Sequence, residues 1–136
     1  MFYMISKGKY KNEKLANYKY VVTKEYEMQL EYRDIEIENF YFKLSKKGIL
    51  KIKGGYRWDG ATGRFVLDTN TFMLGSLVHD CLYQMLRDYE IEDRKTFRYI
   101  ADNTLIEICN QEGMNKIKQK LVYIGVRLFG WIFCKN

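Results

Sequence analysis

Hydrophobic residues along this chain change their spacing once, near residue 70. Before that point they fall mostly at alternate positions. Residues 26–32, Tyr26-Glu27-Met28-Gln29-Leu30-Glu31-Tyr32, alternate apolar with polar, as a strand with one buried face does. Residues 18–23 concentrate aromatic and β-branched side chains, which fit a pleated, half-buried surface. Residues 34–44 alternate again through Ile35, Ile37, Phe40 and Phe42, with a slip at Asn39. A Lys47-Gly48 turn signal precedes a further strand over residues 49–53, and Gly54-Gly55 frees the backbone for a bend. Residues 6–16 are polar and read as a loop.

After residue 69 the period becomes helical. Leu74, Leu77, Val78, Cys81, Leu82 and Met85 form one apolar stripe, with Thr69 or Thr71 as N-cap. Phe97, Ile100, Ala101, Thr104, Leu105 and Ile108 form a second, started by Asp93 or its acidic neighbours and ended near Gly113. A third helix runs from about Asn115 and becomes apolar almost all round after Leu121, which predicts burial as a core helix. Strands first and helices afterwards give an α+β class. The expected architecture is an N-terminal antiparallel β-meander, with Lys and Glu on its open face, followed by three α-helices packed together. One domain spans 1–136: residues 1–53 mainly strands, 54–68 a central turn segment, 69–136 helical.

Composition narrows the class. At 136 residues, 47% hydrophobic and 29% charged, the chain has enough apolar side chains for a core and reads as a soluble globular protein. A formal net charge of +6 favours anionic partners without naming one. Cys81, Cys109 and Cys134 are far apart and form no CxxC pair, so free buried thiols in a reducing compartment are expected. Residues 1–5 are too short an apolar run for a signal peptide, and residues 121–134 are too short to span a bilayer and carry Arg127. No membrane insertion is therefore expected.

Candidate chemistry gathers in residues 54–83. This stretch holds the turn-like Gly55-Tyr56-Arg57-Trp58-Asp59-Gly60-Ala61-Thr62 and, on a helix, His79-Asp80-Cys81-Leu82-Tyr83 with the only histidine. At about 100° per residue, Ser76, His79, Asp80, Tyr83 and Arg87 share one polar arc, and the small Gly75 and Ser76 would admit another segment closely. Arg94, Arg98 and Asp102 step along the next helix at i, i+4 and i+8. Arg127 sits in apolar surroundings and needs a carboxylate; Asp59, Asp80 and Asp102 are the candidates.

Two readings follow. In one, Trp58, Tyr83, Arg98 and Arg127 join His79 and the aspartates in a structural network, with no cofactor. In the other, Asp59, His79, Asp80 and Asp102 are catalytic residues of a divalent-metal-dependent hydrolase, holding Zn or Mn through imidazole and carboxylate. The first is preferred, and with it a protein that is not an enzyme. No Gly-Lys-Ser/Thr phosphate loop and no serine elbow is present. Lys9, Lys11 and Lys19, interleaved with Tyr18 and Tyr20, form a basic aromatic patch suited to binding a partner.

Four ordered motifs carry a resemblance: Tyr56-x-Trp58-Asp59-Gly60-Ala61-Thr62, His79-Asp80-x-Leu82-Tyr83, Arg98-x-x-Ala101-Asp102 and Tyr123-x-x-Val126-Arg127-x-Phe129-Gly130. Over residues 52–131 the chain resembles the domain-of-unknown-function 1353 family of small phage and prophage proteins. It departs at Gly63-Arg64-Phe65, where that family usually carries a proline. The resemblance implies a phage origin and a place in the cytoplasm of a bacterial host, and supplies no reaction. The expected function is that of a phage accessory protein that binds a host protein or protein–nucleic acid complex, as an inhibitor of a bacterial defence system. A virion or lysis-region structural protein is a further alternative.

Overall fold

The structure is a computed structural model that describes residues 5–7 (backbone only), 20–58 and 70–134. The chain divides into two compact units, Met1–Gly60 and Ala61–Asn136. The class is α+β: antiparallel strands in two sheets come first and three helices follow.

Among its described residues the first unit holds seven short strands. Strands β1 (Ile5–Lys7), β2 (Tyr20–Val22) and β7 (Arg57–Trp58) form one sheet in the order β1-β2-β7. Strands β3 (Tyr26–Gln29), β4 (Ile37–Glu38), β5 (Phe42–Leu44) and β6 (Ile49–Ile52) form the other, in the order β3-β6-β5-β4. Alternation sets its faces. Phe42, Leu44, Leu50 and Ile52 are fully buried, while Lys51 meets Glu27 at 3.8 Å and Lys43 meets Glu38 at 3.7 Å on the exposed side.

Three details differ from the expectation. The meander is confined to β4, β5 and β6; β3 pairs with β6, Tyr26 opposite Ile52, instead of with its chain neighbour β4. Residues 5–7, inside or next to the expected loop, form β1, with Ile5 opposite Val22. The slip at Asn39 is a turn that separates two strands: its side-chain oxygen accepts from the backbone N–H groups of Tyr41 (2.8 Å) and Phe42 (2.9 Å), drawing the chain away from extended geometry.

The second unit holds α1 (Asn70–Asp88), α2 (Arg94–Gln111) and α3 (Lys116–Phe129), closed by a 3-10 turn, Gly130–Ile132. Asp93 caps α2 by accepting from the Thr96 amide, and Asn115 caps α3 by accepting from the Lys118 amide at 2.9 Å. Gly113, at φ +93°, ends α2 and lets the Met114 amide reach back to the Cys109 carbonyl at 2.9 Å. Leu77, Val78, Cys81, Leu82, Met85 and Leu86 of α1 and Phe97, Ala101, Leu105 and Cys109 of α2 are buried. At Gly75 the two helices come close: a Cβ there would stand 2.8 Å from Leu105 Cδ1 and 3.2 Å from its carbonyl.

Helix α3 departs most from its expectation. Val122 and Val126 pack against Phe72, Leu105, Cys109 and Met114, and Gln119 is buried, donating to the Met114 carbonyl at 2.7 Å. The opposite face, with Ile117 at 74% and Leu121 at 65% exposure, lies open. Among the described residues of its own unit, the helix packs through one side.

Candidate functional site

Asp102 is the centre of the polar site. It projects from α2 and is completely buried. An uncompensated carboxylate there would cost several kcal/mol, on the order of the penalty for any buried ion. Three short hydrogen bonds compensate it. Its Oδ1 lies 2.7 Å from His79 Nε2 and accepts from the Tyr83 hydroxyl at 2.6 Å. Its Oδ2 accepts from Arg127 Nη1 at 2.7 Å, with Arg98 Nε at 3.9 Å.

Helical spacing explains the convergence. His79 and Tyr83 are four residues apart on α1, so both aim at α2, with ring centroids 4.0 Å apart. Arg98 lies one turn before Asp102 on α2. Its Nε donates to the Tyr83 oxygen at 3.2 Å, and its Nη2 donates to the carbonyls of Val126 (2.7 Å) and Arg127 (2.9 Å) on α3. All three helices therefore meet at one carboxylate.

The electrostatics of Asp102 and Tyr83 move in opposite directions. Burial alone would raise the Asp102 pKa, but the hydrogen bond and charge of His79, then the Tyr83 and Arg127 hydrogen bonds, outweigh it and leave it below the usual carboxylate value. Tyr83 moves the other way: burial first, then the adjacent Asp102 charge, push its phenol well above the ordinary value, so the hydroxyl keeps its proton. As to the cysteines, burial and then Asp80 raise the Cys81 thiol, and burial with Glu112 pushes Cys109 up to about 11, so both stay as unreactive thiols.

A pH dependence follows from the sign of the Asp102 shift. The folded-state value is depressed, so the carboxylate contributes stability that is fully present above the unfolded value of about 3.9. That contribution is lost as pH falls through the folded value. Wild-type helical content, followed by circular dichroism across an acid titration, should collapse more steeply below about pH 4 than that of Asp102→Asn. Parallel acid limbs would show that Asp102 is not the titrating group.

Of the residues singled out in the sequence, His79, Tyr83, Arg98, Asp102 and Arg127 come together. Asp80 is half-buried and is not among the partners of Asp102. Trp58 belongs to β7 in the first unit, packed on Tyr20 with centroids 5.5 Å apart. Tyr20, read as a binding residue, is only 7% exposed, because its strand position turns it into the sheet's interior. Asp59, Lys9, Lys11, Tyr18 and Lys19 lie outside the described residues. Among the described residues no group of three or more His, Cys, Asp or Glu is placed to hold a metal ion.

Two arginine roles were not anticipated. Arg87 Nη1 donates to the Phe133 carbonyl at 2.7 Å, and Arg94 donates to the carbonyls of Leu86 (2.6 Å) and Cys134 (2.7 Å). With Arg98, they clasp the C-terminal segment through its backbone. One signal was present: residues 113–136 contain no Asp or Glu, so arginines reaching that segment find only carbonyls.

Compared with known protein families, with curated proteins and with solved structures, the chain finds no match.

Proposed function

We propose that the protein is a phage-type accessory protein, not an enzyme, that acts in the bacterial cytoplasm by binding a host protein or protein–nucleic acid complex to inhibit a defence system. Support for binding over catalysis comes from one observation: the only histidine and Asp102 are joined with Tyr83 and Arg127 in one hydrogen-bonded cluster. Three short hydrogen bonds occupy both Asp102 oxygens, and the group is sealed from solvent. A carboxylate so engaged has little capacity left to ligate a metal or accept a proton. The phage assignment rests on the four ordered motifs, and the partner surface on the basic residues Lys9, Lys11 and Lys19.

Affinity capture from host lysate, with and without nuclease, tests this reading. A nuclease-resistant protein partner, weakened by salt and by Lys9→Glu, Lys11→Glu and Lys19→Glu together, is the expected result. Mn2+ or Zn2+ should leave the melting temperature unchanged. A metal-induced rise abolished by His79→Ala would instead place the protein among metal-dependent hydrolases, since a ligand that binds only the folded state must stabilise it.

A further inference from the structure

We propose that the outward face of α3, with the aromatic residues that follow it, is a docking surface for an anionic lipid bilayer. This goes beyond the protein-partner reading and concerns a different part of the chain. Ile117, Leu121, Ile124 and Leu128 recur at steps of four, three and four, which gathers them in an arc of roughly 60°. They are 74%, 65%, 53% and 60% exposed, and they lie opposite Gln119 and Val126, the side that packs. Trp131 and Phe133 extend the apolar surface beyond the helix end, 48% and 60% exposed. Apolar stripes of this extent mark interaction sites, since isolated exposed residues do not align.

Charge decides the occupant. Lys118 and Lys120 are exposed along the two flanks of the stripe, and residues 113–136 carry no acidic side chain. The four-three-four spacing would also suit a helical seam with a second copy, but that copy would set Lys118 and Lys120 against lysines with no carboxylate to pair them. An anionic headgroup layer matches the lysines, and its acyl boundary takes the aliphatic stripe. Trp at the end of such a helix settles at the headgroup level. No helix among the described residues is long and apolar enough to cross a membrane, so α3 lies in the interface plane.

The test is co-sedimentation of the full chain with vesicles of phosphatidylcholine alone or with phosphatidylglycerol in equal part. Tryptophan emission is read in parallel: Trp58 is buried, so a blue shift on vesicle addition reports Trp131. Binding to the anionic vesicles, weakened by salt and reduced roughly tenfold or more by Leu121→Glu with Ile124→Glu, is expected. Both positions are exposed, and an unchanged circular dichroism spectrum verifies that the variant folds. A folded protein that stays in the supernatant with every vesicle overturns the proposal. So does a concentration-dependent dimer that the same variant dissolves, because the face then belongs to a second copy.

Discussion

Replacing Asp102 by Asn is expected to lower the stability of the helical unit by about 3–5 kcal/mol, the range seen when one partner of a buried ion pair is removed. Shape is nearly preserved, so packing changes little. Electrostatics change completely. Arg127 loses the carboxylate it donates to and Arg98 the one 3.9 Å from its Nε, and the new amide brings two N–H donors to the Arg127 and Tyr83 donors. With its nitrogen in the Oδ2 place the amide opposes the Arg127 donor, and in the Oδ1 place it opposes the Tyr83 hydroxyl, whose oxygen already accepts from Arg98. At this chain length the loss corresponds to a fall in melting temperature of about 10 °C or more. Glu107→Gln is the control, since Glu107 is an exposed carboxylate on the same helix, and it should stay within about 0.5 kcal/mol of wild type. Thermal unfolding followed at helical wavelengths distinguishes the two. An Asp102→Asn protein within about 1 kcal/mol of wild type would mean that the three helices do not depend on this carboxylate.

Much of that centre is legible in the sequence, for a definite reason. A helix fixes angular positions from sequence alone, so His79 with Tyr83, and Arg98 with Asp102, could be placed on common faces. The need of Arg127 for a carboxylate could likewise be stated from charge. Which aspartate answered it could not, because Asp59, Asp80 and Asp102 differ only in tertiary position. Asp80 shows the limit most clearly. It adjoins His79 in sequence, but one residue turns the chain by about 100°, and Asp102 receives the imidazole instead. In the sheet, the alternation identified the buried residues Phe42, Leu44, Leu50 and Ile52, yet not that β3 joins β6, because strand pairing is non-local. In α3, apolar residues on nearly every side predict burial, and the structure leaves one face exposed. Hydrophobicity records that a face avoids water, not that the same chain covers it.

Gly130→Ala is expected to destabilise the helical unit by about 1–3 kcal/mol, and Tyr83→Phe is expected to relieve part of that cost. Gly130 lies where the chain leaves α3, and its backbone runs against the Tyr83 ring. A Cβ there would collide with the Tyr83 hydroxyl and stand 3.1 Å from ring carbons Cε2 and Cζ. The hydroxyl has no room to retreat, since it donates to Asp102 at 2.6 Å and accepts from Arg98 at 3.2 Å. Arg98 in turn holds the Val126 and Arg127 carbonyls, so α3 cannot swing outward without breaking those bonds. Tyr83→Phe alone should cost about 1–2 kcal/mol, because Asp102 loses a donor while buried. The two changes touch the same atom and therefore cannot add. With the hydroxyl gone, the worst clash disappears, and the double variant should be more stable than the sum of the single effects by about 1 kcal/mol. Urea unfolding of the four proteins measures that coupling. Additivity within about 0.5 kcal/mol would show that Gly130 is not required by Tyr83, and that the junction after α3 is set by other contacts.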